Sequence, residues 1–125
     1  MILQDNLFYI RSNETTAKGS LFHLELNPNH FIYQAHFPSQ PITPGVCIVQ
    51  IVKELLEVET NCKLAIKKVN NVKFLSIISP ADNCHISCEL LKIQVDEDNR
   101  QVKTQAVIFS EKETYAKVSF ICDRL

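Results

Sequence analysis

The chain has 125 residues, 46% of them apolar and 22% charged, and a formal net charge of −1. That length suits one domain with a core that holds without disulfides, and the balance is ordinary for a globular protein. There is no basic excess to neutralise phosphates, no apolar run of the ~18 residues that span a bilayer and no basic-then-apolar leader. The expectation is therefore a single cytoplasmic domain over 1–125, with neither nucleic acid nor membrane as a partner.

In chain order, Leu7–Ile10 (LFYI) reads as a short strand and Ser12–Gly19 as the turn after it. Ser20–Leu26 alternates, with Phe22, Leu24 and Leu26 on one face and His23 and Glu25 on the other, which predicts a half-buried strand paired with the first. Asn27-Pro28-Asn29 is a turn, and Phe31–Ala35 leads into a loop with prolines at 38, 41 and 44. Proline fixes φ and keeps the preceding residue out of the helical region, so Pro38–Pro44 is expected to be stiff and extended.

Gly45 to about Glu57 carries Ile48, Ile51, Val52 and Leu55 at helical spacing, with Val46, Val49 and Leu56 on other faces. A helix whose first turns are apolar nearly all round should be buried, and Gln50 is the residue that conflicts with that setting. Strands follow. Leu64–Ile78 has a polar interruption at Asn70-Asn71, and Pro80–Asp82 is a turn. Cys84, Ile86, Cys88 and Leu90 share a face, after which Leu91, Ile93 and Val95 continue the series out of phase, as at a bulge. Asp96–Arg100 is a turn, and Val102–Phe109 and Tyr115–Cys122 form a last hairpin through Glu111–Thr114. An antiparallel sheet bent around one apolar helix gives an α+β fold, and its open edges invite a dimer.

The five cysteines are an odd number with no C-x-x-C pair, which argues against both a disulfide framework and a zinc knuckle. Cys84 and Cys88 flank His85, but strand positions four apart lie ~13 Å from each other, too far to share one ion. Neither a metal nor a cofactor is expected. Cys47, near the helix start, reads as a small core residue rather than a nucleophile.

The stretch His36–Gln50, HFPSQPITPGVCIVQ, resembles the signature HFPGxPxxPGVxxxE of the hotdog-fold 3-hydroxyacyl-acyl-carrier-protein dehydratases of the FabZ/FabA type. The approach NHFIYQAHFP is similar to NEPFFQGHFP of that family. Phe74, Pro80 and Asp82 keep the spacing of its F-x5-P-G-D pattern, with Ala81 in the glycine place. The likeness runs over roughly residues 17–122. It implies a hotdog fold, an antiparallel sheet wrapped around a central helix. It also implies a homodimer with two active sites at its interface, a higher oligomer or a heterodimer with a related subunit being the alternatives.

The partner the resemblance implies is acyl carrier protein bearing an acyl thioester. The catalytic histidine falls on His36, the backbone donor on Gly45, and the carboxylate contributed by the other subunit on Gln50. Phe37, Pro44, Val46, Phe74 and Glu54 fall in the substrate-binding surround. The implied reaction is loss of water from a (3R)-hydroxyacyl thioester to give the trans-2-enoyl thioester, in fatty-acid or polyketide-like synthesis. The family's opening segment, which helps to cover its acyl tunnel, has no counterpart here.

That reaction takes a proton from C2 and hydroxide from C3. Imidazole titrates near neutrality and suits the first task, and an N–H at a helix start can hold charge on the thioester oxygen. The leaving hydroxyl wants a proton donor, and Gln50 is an amide that does not ionise. Three accounts follow. His36 could return the proton to the C3 oxygen while Gln50 orients the hydroxyl. Glu54, one turn on from Gln50, could replace the acid. Or the chain could be a catalytically impaired acyl-binding or partner subunit. A hotdog thioesterase using Glu54 as base is a further alternative. His23, His30 and His85 read as ordinary polar residues. Lys67, Lys68, Lys73 and Lys103 are candidate contacts to an acidic carrier.

Overall fold

The computed structural model describes residues 2–125. Two strands open it, β1 (Phe8–Thr15) and β2 (Gly19–Leu26), followed by a short helix α1 (Phe31–Ala35) and a long helix α2 (Gly45–Thr60). Four strands complete it: β3 (Leu64–Phe74), β4 (His85–Asp96), β5 (Gln101–Phe109) and β6 (Thr114–Arg124). All six strands join one antiparallel sheet in the order β1-β2-β4-β5-β6-β3.

Alternation sets the faces. Phe22, Leu24 and Leu26 of β2 are buried while His23 faces outward, and Ile86, Cys88 and Leu90 of β4 continue the same layer. Gly19 sits so close to β4 that a Cβ there would run into the Leu90 carbonyl, and glycine is the residue that permits such an approach. The inner layer packs on Cys47, Ile48, Ile51, Val52, Leu55 and Leu56 of α2. Each such side chain contributes ~1.5–3 kcal/mol on burial.

The phase slip in the fourth strand is a bulge. Register shifts between Leu91 and Gln94, with Lys92 at φ 51°. Ile93 packs on the core, whereas Val95, expected to continue the apolar series, is exposed. In β3 there are two register shifts, one between Ile66 and Lys68 and one between Val69 and Asn71, the second falling at the polar interruption.

Several boundaries differ from expectation. Ser12–Thr15 belongs to β1 rather than to a turn, because a register shift at Arg11 lets the strand stay paired with Ser20–His23. Phe31–Ala35 is helical, and the His30 ring starts it by accepting the Ile32 N–H on Nδ1 at 3.1 Å. The long helix continues to Thr60, since only Asn61 takes the left-handed conformation (φ 53°) and donates its N–H to the Glu57 carbonyl, a common helix ending. β3 stops at Phe74, well before Ile78. The start of α2 is not buried all round either. Val46 is 69% exposed, because no part of the described chain covers that side.

Candidate active site

His36 lies just past the end of α1, and the loop behind it is tied at several points. The Ile42 N–H donates to the His36 carbonyl at 2.9 Å, and Phe37 and Gln40 exchange backbone hydrogen bonds at 3.0 and 3.2 Å. The segment is therefore a turn over Phe37–Gln40 followed by an extended run to Pro44. The expectation of one extended loop holds for its second half alone, because the Phe37/Gln40 bonds close the first half. Further on, the Thr43 N–H donates to the Ile78 carbonyl at 2.9 Å. The hydroxyls of Tyr33 and Thr43, both buried, are 2.9 Å apart. Burial pushes the Tyr33 phenol up to about 12, against a smaller opposing effect of its bond to Thr43. Neither residue stood out in the sequence, though a tyrosine three residues before the histidine and a threonine just before the last proline together brace the loop.

The four histidines now separate. His23 is an exposed strand residue with Nδ1 3.1 Å from the Ser87 hydroxyl, His30 caps α1, and His85 is exposed. His36 is half-buried and stacks on Phe37 at 4.3 Å between ring centres. Among the described residues its Nδ1 is the one buried side-chain nitrogen or oxygen with no hydrogen-bond partner. Such an atom costs ~1–3 kcal/mol.

The loop delivers the chain to α2 through Pro44, whose carbonyl accepts the N–H groups of Cys47 and Ile48 at 3.0 and 3.1 Å. The earlier N–H groups, of Gly45 and Val46, have no intrahelical acceptor, as at any helix start. The Phe74 ring covers Gly45, so a Cβ at residue 45 would lie 2.8 Å from it. Val46 and Phe74 are exposed at this helix end, and Phe37, in the loop before it, is exposed as well. The thiol of Cys47, in the first turn, is buried and pushed up by that burial.

One turn apart on α2, Gln50 donates from Nε2 to Glu54 Oε2 at 2.8 Å. Glu54 is 6% exposed, and its carboxylate also receives the Leu3 N–H (2.9 and 3.1 Å to its two oxygens) and the Gln4 N–H at 2.7 Å. Sequence reading marked Gln50 as the buried polar residue of this helix, yet Glu54 is the more deeply buried of the two. The signal available was a pair of polar residues four apart on an otherwise apolar face. The N-terminal partners of Glu54 gave no such signal.

Gly45 is thus brought together with Phe74, and Gln50 with Glu54. The open cleft of about 460 Å³ that Gln50 and Glu54 line runs between the N-terminal segment and the outer side of α2, and His36 is not among its lining residues. Lys67, Lys68 and Lys73 are exposed on edge strand β3 and Lys103 on β5. Among the described residues there is no group of three or more histidine, cysteine, aspartate or glutamate side chains placed to hold a metal ion, and no helix long and apolar enough to cross a membrane.

A family model described as ApeI-like, ApeI dehydratase, matches residues 11–117. The 3-hydroxyacyl-[acyl-carrier-protein] dehydratase FabZ of Clostridium kluyveri is 27% identical over an alignment of 100 residues that covers 74% of this chain and 67% of that relative. Among solved structures, the dehydratase heterocomplex ApeI:P of Xenorhabdus doucetiae matches with TM-score 0.66 and 21% identity, over 93% of this chain and 97% of that one. Thioesterase HI1161 of Haemophilus influenzae matches with TM-score 0.65 and 10% identity, over 97% of this chain and 80% of that one. At those identities the two structures speak for the fold alone, a hotdog in which one antiparallel sheet wraps the long helix.

Proposed function

The chain belongs to the ApeI-like dehydratase family, and on that footing we propose that it removes water from (3R)-hydroxyacyl thioesters of acyl carrier protein. The product is the trans-2-enoyl thioester, and the working unit is a dimer whose sites join residues of two copies. The observation that carries this reading is the buried, unpartnered Nδ1 of His36. A cost of that kind is tolerated where the group has work to do, and the other three histidines carry no such atom.

In the proposed reaction His36 takes the proton from C2. The electron pair of that C–H bond becomes the C2=C3 double bond as the C3–O bond breaks. The proton on the imidazole passes to the departing oxygen, which leaves as water. Charge building on the thioester oxygen is met by the Gly45 N–H at the start of α2, where the helix dipole and a free donor coincide. Gln50 of the other copy holds the C3 hydroxyl. Phe37, Pro44, Val46 and Phe74 line the approach.

The dimer is supported by what one chain leaves uncovered. Val46, Phe74, Leu75 and Ile77 are exposed apolar residues at the start of α2 and the end of β3, and β3 is an edge strand. Exposed apolar side chains beside an open sheet edge are what an interface between copies would cover. That the cleft at Gln50 omits His36 fits a site completed by a second copy.

A second reading is favoured by Gln50 itself. If an acid is indispensable, this chain is an acyl-binding or partner subunit, and a related subunit in a heterodimer supplies the carboxylate opposite His36. The thioesterase alternative draws less support, because the Glu54 carboxylate already accepts the N–H groups of Leu3 and Gln4 and the side-chain amide of Gln50.

The test is hydration of a trans-2-enoyl carrier thioester, the reverse reaction, followed by loss of enoyl absorbance. Turnover by the wild type that falls by about 10²–10⁴ in His36→Ala supports the enzyme. Wild type indistinguishable from both buffer and His36→Ala overturns it. A silent wild type with turnover in Gln50→Glu moves the assignment to the partner subunit.

A further inference from the structure

The side chain of Glu54 is too buried, and too fully engaged with donors, to be read as a spare acid. Its carboxylate receives the N–H groups of Leu3 and Gln4 and the Nε2 of Gln50. A carboxylate offers acceptors alone. The amide of Gln50 must therefore turn its NH₂ toward Glu54, which leaves the carbonyl oxygen at the opposite edge of the planar amide group. Charge-assisted bonds of this kind are about twice as strong as neutral ones, so the orientation is held rather than averaged.

We infer that Glu54 is a positioning residue. By holding the Gln50 NH₂ it makes Gln50 present its carbonyl oxygen, a hydrogen-bond acceptor, to the hydroxyl of the substrate. The inference rests on the dehydratase reading and deepens it. A carbonyl oxygen has two lone pairs, so it can take the C3 hydroxyl proton alongside any other bond it makes. Held by its hydrogen, the hydroxyl turns its own lone pairs away from Gln50, toward the imidazolium that returns the C2 proton. Gln50 then selects for a substrate that can donate at C3, and a 3-oxo thioester, which has no such proton, is bound less well.

The same logic explains why the polar residues at 50 and 54 belong together. With Glu54 as acceptor, residue 50 must be a donor at its near side. In the exchanged pair Gln50→Glu/Glu54→Gln, the amide at 54 would accept the Leu3 and Gln4 N–H groups on its oxygen and donate to the new carboxylate. Gln50→Glu alone sets two carboxylates one turn apart, and their repulsion favours a proton held on one of them, which is shed as pH rises.

The experiment compares wild type, Glu54→Gln, Gln50→Glu and the exchanged double variant in enoyl hydration, with melting temperatures recorded for all. Loss of kcat by about tenfold to a hundredfold in Glu54→Gln with little change in KM, the cost of misplacing one group, supports the inference. So does recovery of kcat in the double variant and an activity in Gln50→Glu that declines as pH rises. Equal losses in Glu54→Gln and the double variant, tracking melting temperature, overturn it, since they describe a merely structural anchor.

A readout free of catalysis separates the two levels of argument. The side-chain NH₂ resonances of Gln50 in wild-type NMR spectra should exchange with solvent about tenfold more slowly than those of exposed glutamines, and Glu54→Gln should abolish the difference. Fast exchange in the wild type overturns the inference whatever the kinetics. Slow exchange in a wild type without turnover upholds the orientation and rejects the dehydratase reading instead.

Discussion

The Phe74 ring stands 2.8 Å from the point that a Cβ on residue 45 would occupy. Gly45 opens α2, and Phe74 closes β3, so the contact joins the helix start to the sheet edge across the candidate site. Gly45→Ala should therefore act through Phe74 rather than through the helix, where alanine is favourable by up to ~1 kcal/mol over glycine. The ring is 54% exposed and can swing away. The expected outcome is a melting temperature within a few degrees of wild type and a kcat/KM lower by about tenfold, with part of the loss recovered in Gly45→Ala/Phe74→Leu. Thermal scans beside enoyl hydration check it.

How much of this was legible in the sequence depends on the range of the interactions. The alternation at Phe22, Leu24 and Leu26, the helical spacing of Ile48, Ile51, Val52 and Leu55, and the phase slip that becomes the bulge at Lys92 are local patterns, and each reads directly. Strand order is not local. β3 leaves α2 and pairs with β6, at the far end of the chain, a pairing that no hairpin signal announces. α1 spans a single turn or so, too short for periodicity to register, and its cap is a histidine ring. The signature of prolines and glycine located His36 and the start of α2. That Glu54 meets the backbone of residues 3 and 4 depends on where the N-terminal segment packs, and nothing in the helix pattern predicts it.

Tyr33→Phe tests the brace behind His36. The substitution removes the hydroxyl 2.9 Å from Thr43 Oγ1 and leaves a buried threonine oxygen without its partner, a cost of about 1 kcal/mol. A domain of this size should melt about 3 °C lower. Because the bond ties α1 to the end of the loop, amide exchange at Ile42 and Thr43 should quicken more than at β2. Uniform quickening across the sheet would show that the effect is global and that the brace is not local to the loop.

Alkaline pH should destabilise the fold in a defined window. Burial pushes the Cys88 thiol from 9.0 up to about 12 and that of Cys122 up to about 11, and the Tyr33 phenol goes from 10.0 to about 12. Each is neutral when protonated, and each holds its proton more tightly folded than unfolded. Their contribution is complete below pH 9, the ordinary value of the thiols, and is lost as pH rises through the folded values. The slope can reach about 1.4 kcal/mol per pH unit for each group. Urea titrations at pH 8, 9.5 and 11 should show stability nearly flat and then falling, with a shallower fall in Cys88→Ala. An unchanged slope in that variant would remove Cys88 from the account.

Val46→Asp tests whether a second copy completes the site. Val46 is 69% exposed beside Phe74 and the edge strand β3, so a charge there costs the isolated chain little. In an interface it costs a great deal, because an unpaired charge loses its water. A specific interface buries about 1,200–2,000 Å², and one aspartate near its centre should suffice to open it. Sedimentation of the wild type should give a dimer at micromolar concentration and Val46→Asp a monomer with unchanged secondary structure by circular dichroism. Enoyl hydration should be lost with the dimer if the proposed site joins His36 of one copy to Gln50 of the other. A wild type that sediments as a monomer while turning over would place both residues in one chain's site and remove the need for a partner.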